Sequence, residues 1–287
     1  MHLLISDPKM KSFEQKVAAL TGAGSGIGRA LAIELARGGA ELALSDINQA
    51  RLDETAELVR ALGAKVSTAT LDVSKREAVY AWADAVVRDH GRANLIFNNA
   101  GVAVGSLIEG VSYEDFEWIM SINFWGVVYG TKAFLPHLRA AGEGHIVNVS
   151  SVFGIIAVPG NGTYNASKYA VRGFTEALRQ ELDLTGGSVS CTCVHPGGIK
   201  TNIARDSRLS DNMKGVLVKD AESGKRDFEK LFITTPEKAA ITILRAVRGN
   251  RRRVLIGPDA RAIDWMSRLL PTAYQRINVA AARRRVK

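Results

Sequence analysis

Val17-Ala18-Ala19-Leu20-Thr21-Gly22-Ala23-Gly24-Ser25-Gly26-Ile27-Gly28 is the stretch whose reading decides the fold. A short apolar run, the mark of a buried strand, passes directly into a glycine-rich turn and then into a helical pattern over 27–37. Glycines permit a tight turn and let the backbone approach a pyrophosphate, while a helix N-terminus offers free N–H groups and positive potential. A glycine-rich loop alone is a weak signal. Between a first strand and a first helix it stands where a dinucleotide-binding fingerprint requires it. Asp46 ends the next apolar run, eighteen residues after Gly28. A carboxylate there can accept hydrogen bonds from an adenosine ribose and would repel a 2′-phosphate. Ser45 and Ile47 flank it, and Ser25 occupies the loop, so no basic neighbour invites that phosphate. NAD is therefore expected over NADP.

The same alternation continues outward along the chain. Apolar runs at 17–20, 41–45, 65–71, 93–98, 145–150, 188–195 and 253–256 read as buried strands. Helical patterns fill 27–37, 49–62, 75–90, 113–141, 164–184 and 236–248. Asp46 and Asn48, Ser74, and Thr235-Pro236-Glu237 supply start signals; Gly38-Gly39, Gly63, Gly91 and Gly186-Gly187 supply stops. Strand–helix repetition of this kind implies an α/β fold, doubly wound, with a seven-stranded parallel sheet flanked by helices on both faces. One domain is expected over 14–258, with an N-terminal arm at 1–13 and an extension at 259–287. The polar, irregular stretch 202–234 follows the C-terminal end of a strand, where open α/β sheets bind ligands, and reads as a substrate lid.

Composition narrows the class further. At 287 residues, 46% apolar and 23% charged, the chain can bury a full core. Its opening, MHLLISDPKMKSF, is too short and mixed for a secretory signal, and no apolar run is long enough to cross a bilayer, so a cytoplasmic protein is expected. Cys191 and Cys193 sit two apart in SVSCTCV. On a strand their side chains would lie parallel on one face, which suits small buried hydrophobes better than a disulfide, and no cysteine–histidine cluster suggests a metal. The net charge of +9 is concentrated after residue 244, where twelve Lys/Arg face only Asp259 and Asp264. The rest is close to neutral and no nucleic-acid partner is expected.

A second constellation carries chemistry. Tyr164 and Lys168, four residues apart on a helix, point the same way. A tyrosine with its ordinary pKa near 10 is a poor proton acceptor at neutral pH, and a neighbouring ammonium favours the phenolate. Such tuning suits acid/base catalysis, although the spacing alone arises by chance in many helices. Ser151 stands thirteen residues upstream.

With the TGxxxGxG loop, Asn98-Asn99-Ala100-Gly101, Ser151, YxxxK and Pro196-Gly197 in order, the chain resembles the short-chain dehydrogenase/reductase family, in its compact branch with a single Rossmann domain, over about 14–258. The resemblance implies Ser151, Tyr164 and Lys168 as catalytic residues and Asn123 as a member of their proton relay. It implies a cofactor site built from Gly22, Ser25, Gly26, Ile27 and Gly28, with Asp46 at the ribose and Asp72 and Val73 near the adenine. Asn99, Ala100 and Gly101 would shape the cleft. Tyr164, Lys168, Pro196, Gly197, Ile199 and Thr201 would surround the nicotinamide end. It further implies hydride transfer between NAD(H) and a secondary alcohol or ketone, with Tyr164 as general acid/base, Ser151 holding the substrate oxygen, and Lys168 lowering the Tyr164 pKa.

The stretches 152–158 and 102–104 border the substrate space in the resembled fold, and both are apolar here, which points to a hydrophobic substrate. Helices 113–141 and 164–184 match those through which family members pair, implying a homodimer or homotetramer. The apolar stripe Ala262, Ile263, Trp265, Met266, Leu269 and Leu270 can pack on the subunit or a partner, cover a substrate entrance, or rest on an anionic membrane surface. A solvated basic helix is the simpler reading of the tail. The alternative to an enzyme is a non-catalytic NAD(H)-sensing protein on the same fold. A sensor, however, has no use for the Tyr164/Lys168 pair.

Overall fold

The structure, a computed structural model, describes residues 10–218, 220 and 232–286. Seven parallel strands form the main sheet: β1 (Val17–Thr21), β2 (Glu41–Asp46), β3 (Val66–Thr70), β4 (Leu95–Asn98), β6 (Gly144–Val149), β7 (Val189–Pro196) and β9 (Arg253–Ile256). Their order is β3-β2-β1-β4-β6-β7-β9. The chain winds outward one way from β1 and then crosses to β4, so the C-terminal ends of β1 and β4 open a crevice between them. The central strands are buried along their whole length, which is why they read as unbroken apolar runs.

Helices cover both faces. On one, α1 (Gly26–Arg37), α2 (Gln49–Ala61) and α7 (Pro236–Arg248) bury Leu31, Leu35, Leu52, Ile243 and Val247 against Leu20, Leu42 and Leu44. Met10 and Phe13, at the end of the arm expected over 1–13, belong to this core. On the other face, α3 (Arg76–His90), α5 (Gly126–Ala140) and α6 (Gly162–Thr185) pack Trp82, Phe134, Leu138 and Leu178 on Val17, Ile96 and Ile146. Cys191 and Cys193 are free and buried, and burial pushes each thiol up to about 12.

Local signals place the helix ends. The Asn48 side chain accepts from the Arg51 N–H, and Thr235 caps α7 with Pro236 in its first turn. Gly91 and Gly186 end α3 and α6 in the left-handed conformation. Ser74 is not the cap of α3; Lys75 holds that position without a side-chain hydrogen bond. The helix expected over 113–141 is present as one unbroken run, in which α4 (Tyr113–Met120), a π-helical turn (Ser121–Trp125) and α5 follow one another with helical backbone at each junction.

Part of the stretch expected as a lid lies among the described residues. Strand β8 (Arg208–Leu209) pairs with β5 (Val104–Gly105), Asn212 bonds Leu107 and Ser106, and Arg208 reaches Asp115 and lies over the Trp118 ring. Residues 219 and 221–231 of that expected lid lie outside the described residues. The C-terminal extension forms α8 (Pro258–Leu269) and α9 (Tyr274–Val286). Its apolar stripe divides: Ile263 and Met266 pack against Ile155, Ile156 and Tyr274, while Trp265, Leu269 and Leu270 are exposed.

Candidate active site

The loop after β1 shows why its glycines are needed. A Cβ on Gly28 would lie 2.0 Å from the Gly22 carbonyl oxygen, and one on Gly22, whose φ is +65°, would lie 2.8 Å from the Ala100 Cα. The Asn99 side chain donates to the carbonyls of Thr21 and Gly22, and the Thr21 hydroxyl accepts from the Asn99 and Ala100 N–H groups. These bonds tie the glycine loop to the end of β4. Ser25 occupies the cap position of α1 but makes no side-chain bond to the helix, and its first turn holds no acidic residue. Ile27 follows, partly buried against the core. An uncapped N-terminus with glycines on its approach suits a pyrophosphate.

Asp46 closes the other side. Its carboxylate accepts from the Gly24 and Asn48 N–H groups, each at 2.9 Å, which leaves lone pairs for a ribose. Asp72 accepts from the Ser74 N–H, and Val73 beside it is buried against Gly126. Beyond β7, Pro196 ends the strand, Gly197 donates to the Ile256 carbonyl, and Ile199 is buried. Thr201 comes so close to Gly26 that a Cβ there would meet its methyl at 2.8 Å. This set of residues forms a cradle that fits a dinucleotide.

Ser151, at the end of β6, caps a short 3-10 turn (Val152–Gly154), its hydroxyl accepting from the Phe153 N–H. Helix α6 presents Tyr164 to it. Burial pushes the Tyr164 phenol up to about 12, opposed in part by its hydrogen bond with Ser151. Lys168 lies one turn on, its Nζ 5.6 Å from the Tyr164 ring centroid and donating to the Val149 carbonyl at 3.1 Å. Burial pushes Lys168 down to about 8. The phenol expected to lie below its ordinary value is thus raised instead, because burial disfavours the phenolate and the Ser151 bond offsets that only in part.

Asn123 lies in the π-helical turn, fully buried. Its amide accepts from the Val102 N–H, donates to the Val102 carbonyl, and donates to the Ser167 hydroxyl. The side chain is spent on locking three segments together. Gly101 stands between it and Lys168, and a Cβ there would meet Asn123 Oδ1 at 3.2 Å and Lys168 Nζ at 3.4 Å.

Spacing did not disclose several neighbours. His195 bonds the Ser151 carbonyl through Nδ1, and burial pushes its pKa down to about 4, so the ring is neutral and Nδ1 donates. The Ser150 hydroxyl donates to the Lys168 carbonyl, a contact that leaves no room for a side chain on Gly154. Ile155 and Ile156, expected along the substrate wall, are consumed by packing against the C-terminal helices. Phe153 instead stands edge-on to Tyr164, with ring centroids 6.0 Å apart.

Comparison with known proteins identifies the family and the fold. The short chain dehydrogenase family profile matches residues 16–212. SadH of Mycobacterium tuberculosis, named as an oxidoreductase, is 50% identical over 272 residues, covering 94% of this chain and 96% of its own. A short chain dehydrogenase/reductase from Burkholderia phymatum, solved in complex with NAD, superposes with a TM-score of 0.84 at 32% identity, covering 93% of this chain and 97% of its own. Levodione reductase superposes with a TM-score of 0.76 at 28% identity, covering 87% and 99%.

Proposed function

This chain belongs to the short-chain dehydrogenase/reductase family of oxidoreductases, and from that premise we propose that it transfers hydride between NAD(H) and a hydrophobic secondary alcohol or its ketone. The observation that carries the proposal is the convergence of Ser151, Tyr164 and Lys168 at the C-terminal end of β6, facing the glycine loop across the crevice.

When bound, the nicotinamide supplies the hydride chemistry, and the protein supplies position and protons. Ser151 holds the substrate oxygen by a hydrogen bond and stabilises charge developing on it. Tyr164 takes the hydroxyl proton in oxidation and returns a proton to the carbonyl oxygen in reduction. Lys168, anchored to Val149, retains N–H groups for the nicotinamide ribose and keeps positive charge below the phenol. Asp46 accepts the adenosine ribose hydroxyls. That carboxylate supports NAD as the preferred cofactor, since a 2′-phosphate would meet its charge.

Support for an apolar substrate comes from Phe153 beside Tyr164 and from Leu209, Met213 and Leu217, which pack over Gly105 and Gly160. Exposed Tyr113, Trp125 and Leu184 on or beside the helices through which relatives pair support a homo-oligomer. No helix among the described residues is long and apolar enough to cross a membrane, and a cytoplasmic location is part of this proposal. A panel of secondary alcohols and ketones, each with NAD(H) and NADP(H) and followed by nicotinamide absorbance, tests it. Turnover of bulky apolar alcohols with NAD is the expected result; dinucleotide binding with no turnover of any panel member would favour a sensor instead.

A further inference from the structure

The C-terminal extension lies beyond the family match, which ends at residue 212, yet it touches both loops that carry the site. Its first contact is Asp259, in the opening turn of α8. The carboxylate accepts from the Gly198 N–H at 2.6 Å. It is seated between glycines: a Cβ on Gly197 would lie 2.1 Å from one oxygen, and a Cβ on Gly257 2.3 Å from the other. No side chain but hydrogen fits at either position, so the turn after β7 is shaped around this carboxylate. That turn leads directly into Ile199 and Thr201.

The second contact is on the loop after Ser151. The Tyr274 hydroxyl, on a side chain only 6% exposed, accepts from the Ala157 N–H, and the Asn278 amide donates to the Ala157 carbonyl, both at 3.2 Å. One peptide residue is therefore gripped at both its polar groups by α9. Ile155 and Ile156, beside it, pack on Tyr274, with Ile263 and Met266 adjoining. From α6, the Tyr169 hydroxyl donates to the Ile155 carbonyl at 2.6 Å. A loop without regular structure is thereby held from two sides, four to six residues after Ser151.

We propose that the extension is a working part of the active site: Asp259 positions the nicotinamide-side turn, and Tyr274 with Asn278 positions the loop bearing Ser151 and Phe153. These are positioning residues, acting through backbone. The two C-terminal helices grip the two walls that must keep their spacing while Tyr164 exchanges a proton, and small misplacements of such walls are costly in rate. The proposal rests on the dehydrogenase reading above.

The test uses full-length protein with Asp259→Ala, Asp259→Asn, Tyr274→Phe and Asn278→Ala. Asn at 259 retains an acceptor for Gly198, and Phe at 274 keeps the ring while removing the acceptor for Ala157. NADH affinity is read by fluorescence, kcat and KM on the alcohol panel, melting temperature by calorimetry, and amide hydrogen exchange at Gly198 and Ala157. Asp259→Ala is expected to weaken NADH binding about tenfold, with Asp259→Asn restoring most of it. Tyr274→Phe and Asn278→Ala are expected to lower kcat about five- to tenfold with NADH affinity held within about twofold. Faster exchange should appear at Gly198 in Asp259→Ala and at Ala157 in Tyr274→Phe, while Asn278→Ala, which frees a carbonyl, leaves the Ala157 N–H bonded to Tyr274. Wild-type kinetics in every variant, or losses that only track melting temperature, would overturn the proposal. A wild-type protein that binds NADH but turns over nothing would instead fault the dehydrogenase reading, while the Asp259 binding comparison would still report on the grip.

Discussion

Burial raises the pKa of Tyr164 to about 12 and the Ser151 bond only partly offsets that, which favours the protonated phenol at neutral pH. A protonated phenol is ready to donate to a carbonyl, whereas oxidation needs the phenolate, so alcohol oxidation is expected to speed up with rising pH. Tyr164→Phe should lower kcat about a thousandfold while retaining NADH binding; a variant with wild-type turnover would dismiss Tyr164 as the acid/base. Lys168 gives a second expectation at this scale. Its pKa is lowered by burial from about 10.5 to about 8. Below pH 8 the ammonium is charged in both states and the native state carries the desolvation cost, roughly 3 kcal/mol at most. Between pH 8 and 10.5 the unfolded chain binds more protons, so stability rises with pH across that window. Lys168→Met, although it loses the bond to Val149, should therefore melt a few degrees higher than wild type at pH 7, with the gap narrowing above pH 8. Thermal melts across pH 6–11 check both sign and window.

At the scale of elements, the contact between the Ser151 loop and α6 is unusually close. A Cβ on Gly154 would stand 2.5 Å from Ser150 Oγ and 2.7 Å from the Lys168 carbonyl oxygen. Neither can retreat without disturbing the Ser150–Lys168 bond or the helix backbone. Gly154→Ala is expected to cost about 1–3 kcal/mol in urea unfolding and to reduce turnover disproportionately, since it parts Ser151 from Tyr164. Elements also mark where local reading stops. All seven main strands were legible because buried parallel strands are short apolar runs between glycine-rich breaks. The π-helical turn was not, because the residues around Asn123 keep a helical period and nothing in their types marks a widened turn. Strand β8 within the expected lid was equally silent, since it is two residues long and exists only through pairing with β5.

For the whole molecule, several large apolar side chains on or beside helices 113–141 and 164–184, those that the family resemblance points to for pairing, are exposed. Tyr113 is 85% exposed and Leu184 86%, values that large apolar side chains rarely show on a monomer's surface as a group. Sedimentation of the full chain is expected to give a dimer or tetramer, and Trp125→Glu combined with Leu184→Asp should shift it toward smaller species with the fold intact. An unchanged wild-type sedimentation coefficient in that variant would place the interface elsewhere. The C-terminal helices also carry exposed apolar side chains. Their inner face is spent on Ile155 and Ile156, and their outer face leaves Trp265 and Leu269 exposed beside Arg261 and Arg268.

Sequence by itself determined the doubly wound sheet, the glycine loop with Asp46 across from it, and the order of Ser151, Tyr164 and Lys168. The first two rest on short-range signals, apolar runs, a 3.6 period and a turn between neighbouring elements, while the third drew its meaning from resemblance to a family whose motifs stand in the same order. Tertiary structure alone decided how those parts are held. His195 meets the Ser151 carbonyl across 44 residues, Asp259 enters its glycine cradle across 61, and Tyr274 reaches Ala157 across 117. Separations of that size leave no period in a sequence, because the contact depends on where the folded chain returns. The stretch 17–28 decided the fold; the residues that brace its active site were visible only once the chain had closed upon itself.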